Sequence, residues 1–168
     1  MKAILVYDTR FGNTEKITKA LESGLKRVAG IETIYIRAGE ITKSATTDLL
    51  KGYDLICIGA PTEGFTASKP MKEFLDKLKE ANFADKYGFA YDTKIDSRLS
   101  GSAAKRIEKV MIDRGFKMIV ARESALVMTV KDKGAISGAR LKEGEDTRFE
   151  QIGERIGKVI TSTQTTSA

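Results

Sequence analysis

The chain lacks several residues on which protein chemistry most often depends. Its 168 residues include no histidine, no tryptophan, a single cysteine and two prolines. Without histidine, catalytic triads with a histidine base and histidine-ligated zinc sites are excluded. Because Cys57 is the only cysteine, an internal disulfide and a Cys-x-x-Cys metal or redox pair are excluded as well. Any redox chemistry of this protein must therefore be carried by an organic cofactor.

Long apolar runs are also missing. No stretch approaches the roughly 18–20 apolar residues of a membrane span, and the run at 3–7 is too short for the core of a signal peptide. With 41% hydrophobic and 31% charged residues, the chain is neither disordered nor collagen-like. A chain of this length normally forms one domain. We expect a cytoplasmic globular domain over 1–161, no membrane association, and a flexible Thr/Ser-rich C-terminal tail over 162–168.

Basic residues outnumber acidic ones. The chain has 29 Lys and Arg against 23 Asp and Glu, which gives a formal net charge of +6. This balance favours acidic partners or polyanions and says nothing about the fold. Aromatic residues are not interleaved with the basic ones, which argues against nucleic-acid binding. The densest basic segment, at 105–109, is interpreted as a solvated helix face, with docking of an acidic redox partner or a polyanion as the alternative.

Segments with strand and helix patterns alternate along the chain. The continuous apolar runs at 3–7 and 54–60 are typical of parallel strands buried on both faces. Such alternation with short connections predicts an α/β fold, a three-layer sandwich around a five-stranded parallel sheet. The predicted strands cover 3–7, 31–37, 54–60, 87–91 and 116–120, with a continuation of the last at 125–130, and segments of helical spacing follow each strand, including 44–51 and 145–160.

Ligands of such sheets bind beyond the carboxyl ends of the strands. The segment 8–14 follows the first strand and leads directly into a helix. Its hydroxyl and amide side chains, Gly12 and the free amides of the helix start can cradle an anion. An ordinary helix capped by Asn13 or Thr14 explains the same residues equally well. Neither a Walker A sequence nor a Gly-x-Gly-x-x-Gly fingerprint occurs, and Asp8 lacks the acidic neighbour of a receiver domain.

This segment resembles the phosphate loop of flavodoxins. The family pattern is Ser/Thr-x-Ser/Thr-Gly-x-Thr, and the corresponding residues here are Thr9-Arg10-Phe11-Gly12-Asn13-Thr14. Phe11 replaces the middle hydroxyl residue, as in the flavodoxin-like modules of flavodiiron proteins. The resemblance continues at 59–65, at 92–101 and at 141–153. It implies the strand order 2-1-3-4-5 and the short-chain type, because no long insertion splits the fifth strand.

The resemblance implies FMN as the cofactor, with its phosphate in the first loop and its ring between the other two. Phe65 and Tyr91 are the candidate aromatic walls, although Phe65 also suits a plug over the core and Tyr91 also suits the strand. Gly64 would let a peptide beside the flavin change orientation. The implied cofactor-binding residues are Thr9, Arg10, Phe11, Gly12, Asn13, Thr14, Pro61, Thr62, Glu63, Gly64, Phe65, Tyr91, Asp92, Thr93, Lys94, Leu99 and Gly101.

Positive charge in the flavin-binding loops is unusual for this resemblance, because flavodoxins are generally acidic. Lys94 and Arg98 lie in the loop that would touch the ring. A positive charge near the ring stabilises the anionic reduced flavin, so we expect a less negative reduction potential than in an acidic flavodoxin. The alternative is that both side chains point into water.

The resemblance implies a non-enzymatic electron carrier that works between larger redox proteins with acidic docking surfaces. An FMN-dependent NAD(P)H:quinone-type reductase on the same fold is the alternative, although it would need loops for which the chain has few spare residues. A cradle that holds phosphate alone, or nothing, is a further alternative. No residue is assigned as catalytic or as a metal ligand.

Overall fold

A computed structural model describes residues 1–42, 46–97 and 99–166 of the chain. Strands and helices alternate as the periodicity predicts. In chain order the elements are β1 (Lys2–Tyr7), α1 (Asn13–Lys26), β2 (Glu32–Arg37), a 3-10 turn (Ala38–Glu40), α2 (Thr46–Lys51), β3 (Leu55–Glu63), β4 (Thr66–Ala67), α3 (Lys69–Asp76), β5 (Tyr87–Ile95), α4 (Ala103–Asp113), β6 (Lys117–Met118), β7 (Glu123–Asp132), β8 (Ala135–Leu141) and α5 (Glu145–Thr166).

One sheet runs through the molecule in the order β2-β1-β3-β5-β7-β8. The pairings from β2 to β7 are parallel. The short strand β6 also pairs with β5 in parallel, so β6 and β7 together occupy the fifth position of the sheet. The predicted order 2-1-3-4-5 is therefore confirmed. It brings the carboxyl ends of β1, β3, β5 and β7 to one edge, where α/β sheets bind ligands.

Helices cover both faces of the sheet and make the three predicted layers. Ile4, Ile56 and Phe74 belong to a core cluster on the side of α3 and α4. The opposite cluster, on the side of α1 and α5, contains Leu5 and Phe149. Burial of each large apolar side chain stabilises the folded state by about 1.5–3 kcal/mol of hydrophobic free energy. These two clusters therefore supply most of the hydrophobic stabilisation of the fold.

Glycines allow α1 and α5 to pack closely. A β-carbon placed on Gly24 would lie 1.9 Å from the carbonyl oxygen of Glu150, and one on Gly153 would lie 2.1 Å from that of Leu21. Real side chains do not tolerate such distances, so the two helices touch backbone to backbone. This contact fixes the position of α1, whose first turn carries the segment identified as an anion cradle.

The structure differs from the predicted elements at three places. An eighth strand, β8, forms an antiparallel edge that the strand pattern did not predict. The segment predicted as a loop at 61–68 is a hairpin, in which β3 continues to Glu63 and pairs with β4. The last helix continues to Thr166, past position 162, where the sequence predicted the tail to begin. The mobility of that tail stays a prediction, and positions 44, 45, 167 and 168 of the predicted segments lie outside the described residues.

Within the described ranges, no helix combines the length and apolarity needed to cross a membrane. The same residues contain no group of three or more cysteine or acidic side chains placed to hold a metal ion.

Candidate functional site

A cavity of about 300 Å³ lies at the carboxyl edge of the sheet. Small-molecule sites typically fall in the range of roughly 300–1,000 Å³. Its lining comes from the three loops predicted to bind a ligand and from strands β7 and β8. The lining residues are Thr9, Arg10, Phe11, Asn13, Thr14, Pro61, Thr62, Glu63, Gly64, Thr93, Lys94, Ile95, Val127, Thr129, Ile136, Gly138 and Ala139.

Residues 9–14, here called the anion loop, connect β1 to α1. Gly12 is the N-cap of α1 and adopts φ +79°, a left-handed conformation that favours glycine. The prediction that Asn13 or Thr14 caps the helix is wrong, because the cap makes no side-chain hydrogen bond. Thr14 instead hydrogen-bonds the hydroxyl of Thr93 on β5 at 2.8 Å. The first backbone amides of α1 thus receive no acceptor from a capping side chain, and Asn13 and Thr14 of this turn line the cavity. Free amides at a helix start are what an anion site requires.

The base of the anion loop is held by charged side chains. The buried Asp8 carboxyl accepts hydrogen bonds from Arg37 Nε at 3.2 Å and Ser68 Oγ at 2.6 Å. Arg37 also donates from Nη2 to the carbonyl oxygen of Thr9 at 2.8 Å. The Thr9 hydroxyl takes part in none of these hydrogen bonds. Its Oγ1 is buried and has no hydrogen-bond partner within the described part of the chain.

Phe11 contributes an aromatic ring to the rim of the cavity. It is 42% exposed, and the guanidinium carbon of Arg10 lies 5.0 Å from its ring centroid. Among the described residues that line the cavity, Phe11 is the one aromatic residue. The other apolar lining side chains are aliphatic and come from β3, β5, β7 and β8.

The β3–β4 hairpin forms the second wall. Thr62 pairs with Ala67 and Glu63 with Thr66, so Gly64 and Phe65 are the two turn residues. Both have positive φ, +52° and +70°, as a type I′ turn requires. Phe65 lies outside the cavity lining and is 71% exposed. The structure thus corrects the interpretation of Phe65 as a plug over the core, since its ring is largely exposed. Contact of Phe65 with a ligand stays a prediction.

The end of β5 forms the floor. Thr93, Lys94 and Ile95 line the cavity. Asp92 is fully buried behind them, and its Oδ2 accepts hydrogen bonds from Thr62 Oγ1 at 3.0 Å, Ser102 Oγ at 2.8 Å and the amide of Ala104 at 2.9 Å. Asp92 therefore does not line the cavity. Its hydrogen bonds instead connect Thr62, in the β3–β4 hairpin, to the first residues of α4.

Tyr91 lies in the core and not beside the cavity. It is fully buried and its ring stacks on Phe89 with centroids 5.8 Å apart. The prediction that Tyr91 walls the cavity is corrected, because β5 continues to Ile95 and places Tyr91 in mid-strand on the α1 and α5 face. Burial raises the pKa of the Tyr91 hydroxyl well above its ordinary value.

The segment 92–101, predicted to flank the flavin ring, contains two more residues that lie outside the cavity lining, Leu99 and Gly101. Leu99 is 80% exposed. Gly101 has φ +66°, and a β-carbon there would lie 2.4 Å from the carbonyl oxygen of Phe65. Gly101 thus packs against the neighbouring turn and supports it from behind. Arg98 lies outside the described residues.

Strands β7 and β8 supply lining residues that the sequence interpretation missed. Val127, Thr129, Ile136, Gly138 and Ala139 come from these strands. The sequence contains a local signal for this hairpin, namely the glycine of the Lys133-Gly134 turn. Both turn residues have positive φ, +48° and +83°. A glycine in a two-residue turn between strand-like segments indicates such a hairpin.

The cavity combines an anion cradle with a mixed-charge, largely aliphatic pocket. Arg10 and Lys94 bring positive charge, and Glu63 brings negative charge. This arrangement suits a molecule with a phosphate at one end and a flat apolar body at the other.

The comparisons with known proteins agree with this geometry. Residues 5–152 match the family model described as Flavodoxin. A flavodoxin from Clostridium saccharobutylicum is 27% identical over 162 residues, which are 95% of this chain and 98% of the relative. A solved flavodoxin from the domain Archaea superposes with a TM-score of 0.68 at 20% identity over 95% of this chain and 99% of its own. A flavodiiron core from Synechocystis sp. superposes with a TM-score of 0.74 at 17% identity, over 97% of this chain and 36% of its own.

Proposed function

The chain belongs to the flavodoxin family, and we propose that it binds one FMN molecule in this cavity and carries electrons between larger redox proteins. Flavodoxins bind FMN and pass electrons to redox partners. Bound FMN supplies reversible one- and two-electron transfer. The protein supplies binding, orientation and local charge.

The Thr9 hydroxyl is the observation that carries the proposal. A buried hydroxyl without a partner is unfavourable, and native structures rarely keep one without a reason. Thr9 Oγ1 is such a group, and it stands in a loop whose Gly12 backbone and helix-start amides favour an anion. A phosphate monoester in the anion loop would accept a hydrogen bond from Thr9 and from these amides.

The remaining residues fit the other end of the molecule. Residues 61–64 and 93–95 line the cavity on two sides and would flank the ring. Lys94 and Glu63 would set the charge beside it. Asp92 and Gly101 would act by shaping the two loops, and Tyr91 would make no contact. The exposed Phe65 and Leu99, which the resemblance implied as contacts, stay predicted contacts of the ring.

An electron carrier fits the chain better than the alternative reductase, which the family comparison does not support. The net charge of +6 and the exposed Arg10 on the cavity rim favour redox partners with acidic docking surfaces. Electron transfer to such a partner should slow as salt concentration rises, because salt screens the attraction.

Titration of the cofactor-free protein with FMN and with riboflavin tests the binding site. We expect binding of one FMN and much weaker binding of riboflavin, which lacks the phosphate. Thr9→Ala should weaken FMN binding about ten- to hundredfold, the value of one hydrogen bond to a charged acceptor. Thr147→Ala, at an exposed threonine away from the cavity, is the matched control. Equal affinity for FMN and riboflavin would contradict the proposed site.

Reduction experiments test the carrier role. The FMN-loaded protein should be reduced by light with a chemical donor and should stay oxidised in NADPH or NADH alone. Rapid bleaching by either nucleotide would instead indicate a reductase.

A further inference from the structure

The strands β7 and β8 extend beyond the rest of the sheet. The pairing of β5 with β7 ends where Ile95 meets Val127. β7 nevertheless continues to Asp132, and beyond Val127 its partner is β8. Residues 128–140, here called the overhanging hairpin, therefore project past the carboxyl edge of the sheet, where the cavity lies.

One face of the overhanging hairpin is turned toward the cavity. Thr129 pairs with Ala139, and Lys131 with Ile136. Cross-strand partners share a face of a sheet, and Thr129, Ala139 and Ile136 all line the cavity. Met128, by alternation, lies on the opposite face. Ile136 is 60% exposed, so this face presents an apolar side chain to the cavity.

Two polar contacts hold the hairpin in this position. Asn13 of the anion loop donates from Nδ2 to the carbonyl oxygen of Ala139 at 2.9 Å, and Asn13 itself is only 5% exposed. At the base of the hairpin, Lys142 Nζ lies 2.5 Å from Asp96 Oδ2, just after the end of β5. The first contact joins the hairpin directly to the loop that would hold the phosphate.

We propose that the overhanging hairpin is a retaining wall for the phosphate-bearing ligand, with Asn13 as the positioning residue that holds it against the anion loop. This role rests on the proposed FMN site. The hairpin supplies an apolar wall on the side of β7 and β8, which Tyr91 does not provide because it is buried in the core. Ligand release then requires the Asn13–Ala139 hydrogen bond to open, so the hairpin governs the dissociation rate more than the association rate.

The register of the hairpin allows it to be shortened cleanly. Met128 and Arg140 are cross-strand partners, so residues 129–139 can be replaced by Asn-Gly, which favours a two-residue type I′ turn. FMN release is followed by the fluorescence of free flavin after dilution. The shortened protein should release FMN at least about tenfold faster, as loss of several apolar contacts and one hydrogen bond predicts.

Asn13→Ala, made in the full-length and in the shortened protein, tests the positioning role. In the full-length protein it should speed release about threefold, the effect of one neutral hydrogen bond. In the shortened protein it should add nothing, because its partner is gone. An equal acceleration in both backgrounds would mean that Asn13 acts on the phosphate directly, and would overturn this role. In the cofactor-free protein, Asn13→Ala should also speed amide hydrogen exchange in β8.

A matched pair of substitutions covers the case in which the shortened protein does not fold. Ile136→Ser, on the cavity face, should speed release, whereas Met128→Ser, on the opposite face, should not. Equal effects of the two would overturn the retaining wall. Failure of the unaltered protein to bind FMN would overturn both proposals, whereas normal binding with unchanged release in every hairpin variant would overturn this one alone.

Discussion

The hydroxyl groups of Thr18 and Tyr91 lie 2.7 Å apart in the core. Thr18 donates its single hydroxyl proton to the carbonyl oxygen of Thr14 at 2.8 Å, so Tyr91 must be the donor to Thr18. This chain of bonds joins mid-strand β5 to the first turn of α1. The aromatic residue that the sequence placed against a ligand therefore positions the anion loop from behind.

The Tyr91 ring leaves no room for a side chain on the neighbouring strand. A β-carbon on Gly59 would lie 2.1 Å from Tyr91 Cε2, and the ring is held by Phe89 and Phe149. We expect Gly59→Ala to lower the free energy of unfolding by about 1–3 kcal/mol, the usual cost of overpacking. Urea denaturation measures this change. Gly39→Ala, where nothing lies within 4 Å of the new carbon, should change it by less than about 0.5 kcal/mol.

Alkaline pH should destabilise the protein through its buried acids. Burial raises the pKa of the Tyr91 hydroxyl and of the Cys57 thiol above their ordinary values of 10.0 and 9.0. The unfolded chain ionises at those ordinary values while the folded chain stays protonated. Stability is thus fully present below about pH 8 and falls as pH rises through the ordinary pKa values of the two groups. In Tyr91→Phe the fall between pH 9 and 11, measured by urea unfolding, should be shallower, and an unchanged slope would contradict this origin.

Asp92 should stabilise both the fold and the cavity. Its Oδ2 accepts three hydrogen bonds, from Thr62, Ser102 and Ala104. Asp92→Ala leaves these donors unpaired and should lower the free energy of unfolding by about 2–4 kcal/mol. FMN affinity should fall with it, because the β3–β4 hairpin loses its link to α4. Asp113→Ala, which breaks only an exposed ion pair with Lys109, should cost less than about 1 kcal/mol, and an equal loss in both variants would rule out this role.

Two charged lining residues should shift the flavin reduction potential in opposite directions. Lys94 and Glu63 both line the cavity. Lys94→Gln removes a positive charge that favours the anionic reduced flavin, so the potential should become more negative by about 40 mV, or roughly 1 kcal/mol. Glu63→Gln should make it less negative by a similar amount. Potentiometric titration of both variants measures the shifts, and the same sign in both would show that another effect dominates.

The strands could be predicted from the sequence pattern, and their order followed from the resemblance to flavodoxins. The apolar runs at 3–7 and 54–60 predicted β1 and β3, because a strand buried on both faces must be apolar throughout. The order of the strands then placed the loops after β1, β3 and β5 at one edge. The side on which Tyr91 lies could not be predicted. Side chains alternate along a strand, but β5 extends to Ile95 only because it pairs with β7, a contact between distant segments.

What the sequence by itself determined is local: the alternation of strands and helices, the glycine at the start of α1, and the hydroxyl and amide groups of the anion loop. The tertiary structure alone decided which groups remain available to a ligand. The side-chain amide of Asn13 donates a hydrogen bond to the carbonyl oxygen of Ala139, 126 positions away. The Thr9 hydroxyl, by contrast, has no hydrogen-bond partner within the described chain. Periodicity and turn chemistry reflect neighbours along the chain, whereas the walls of the cavity form where distant segments meet. β8 belongs to the site because it pairs with β7 and contacts the anion loop through Asn13.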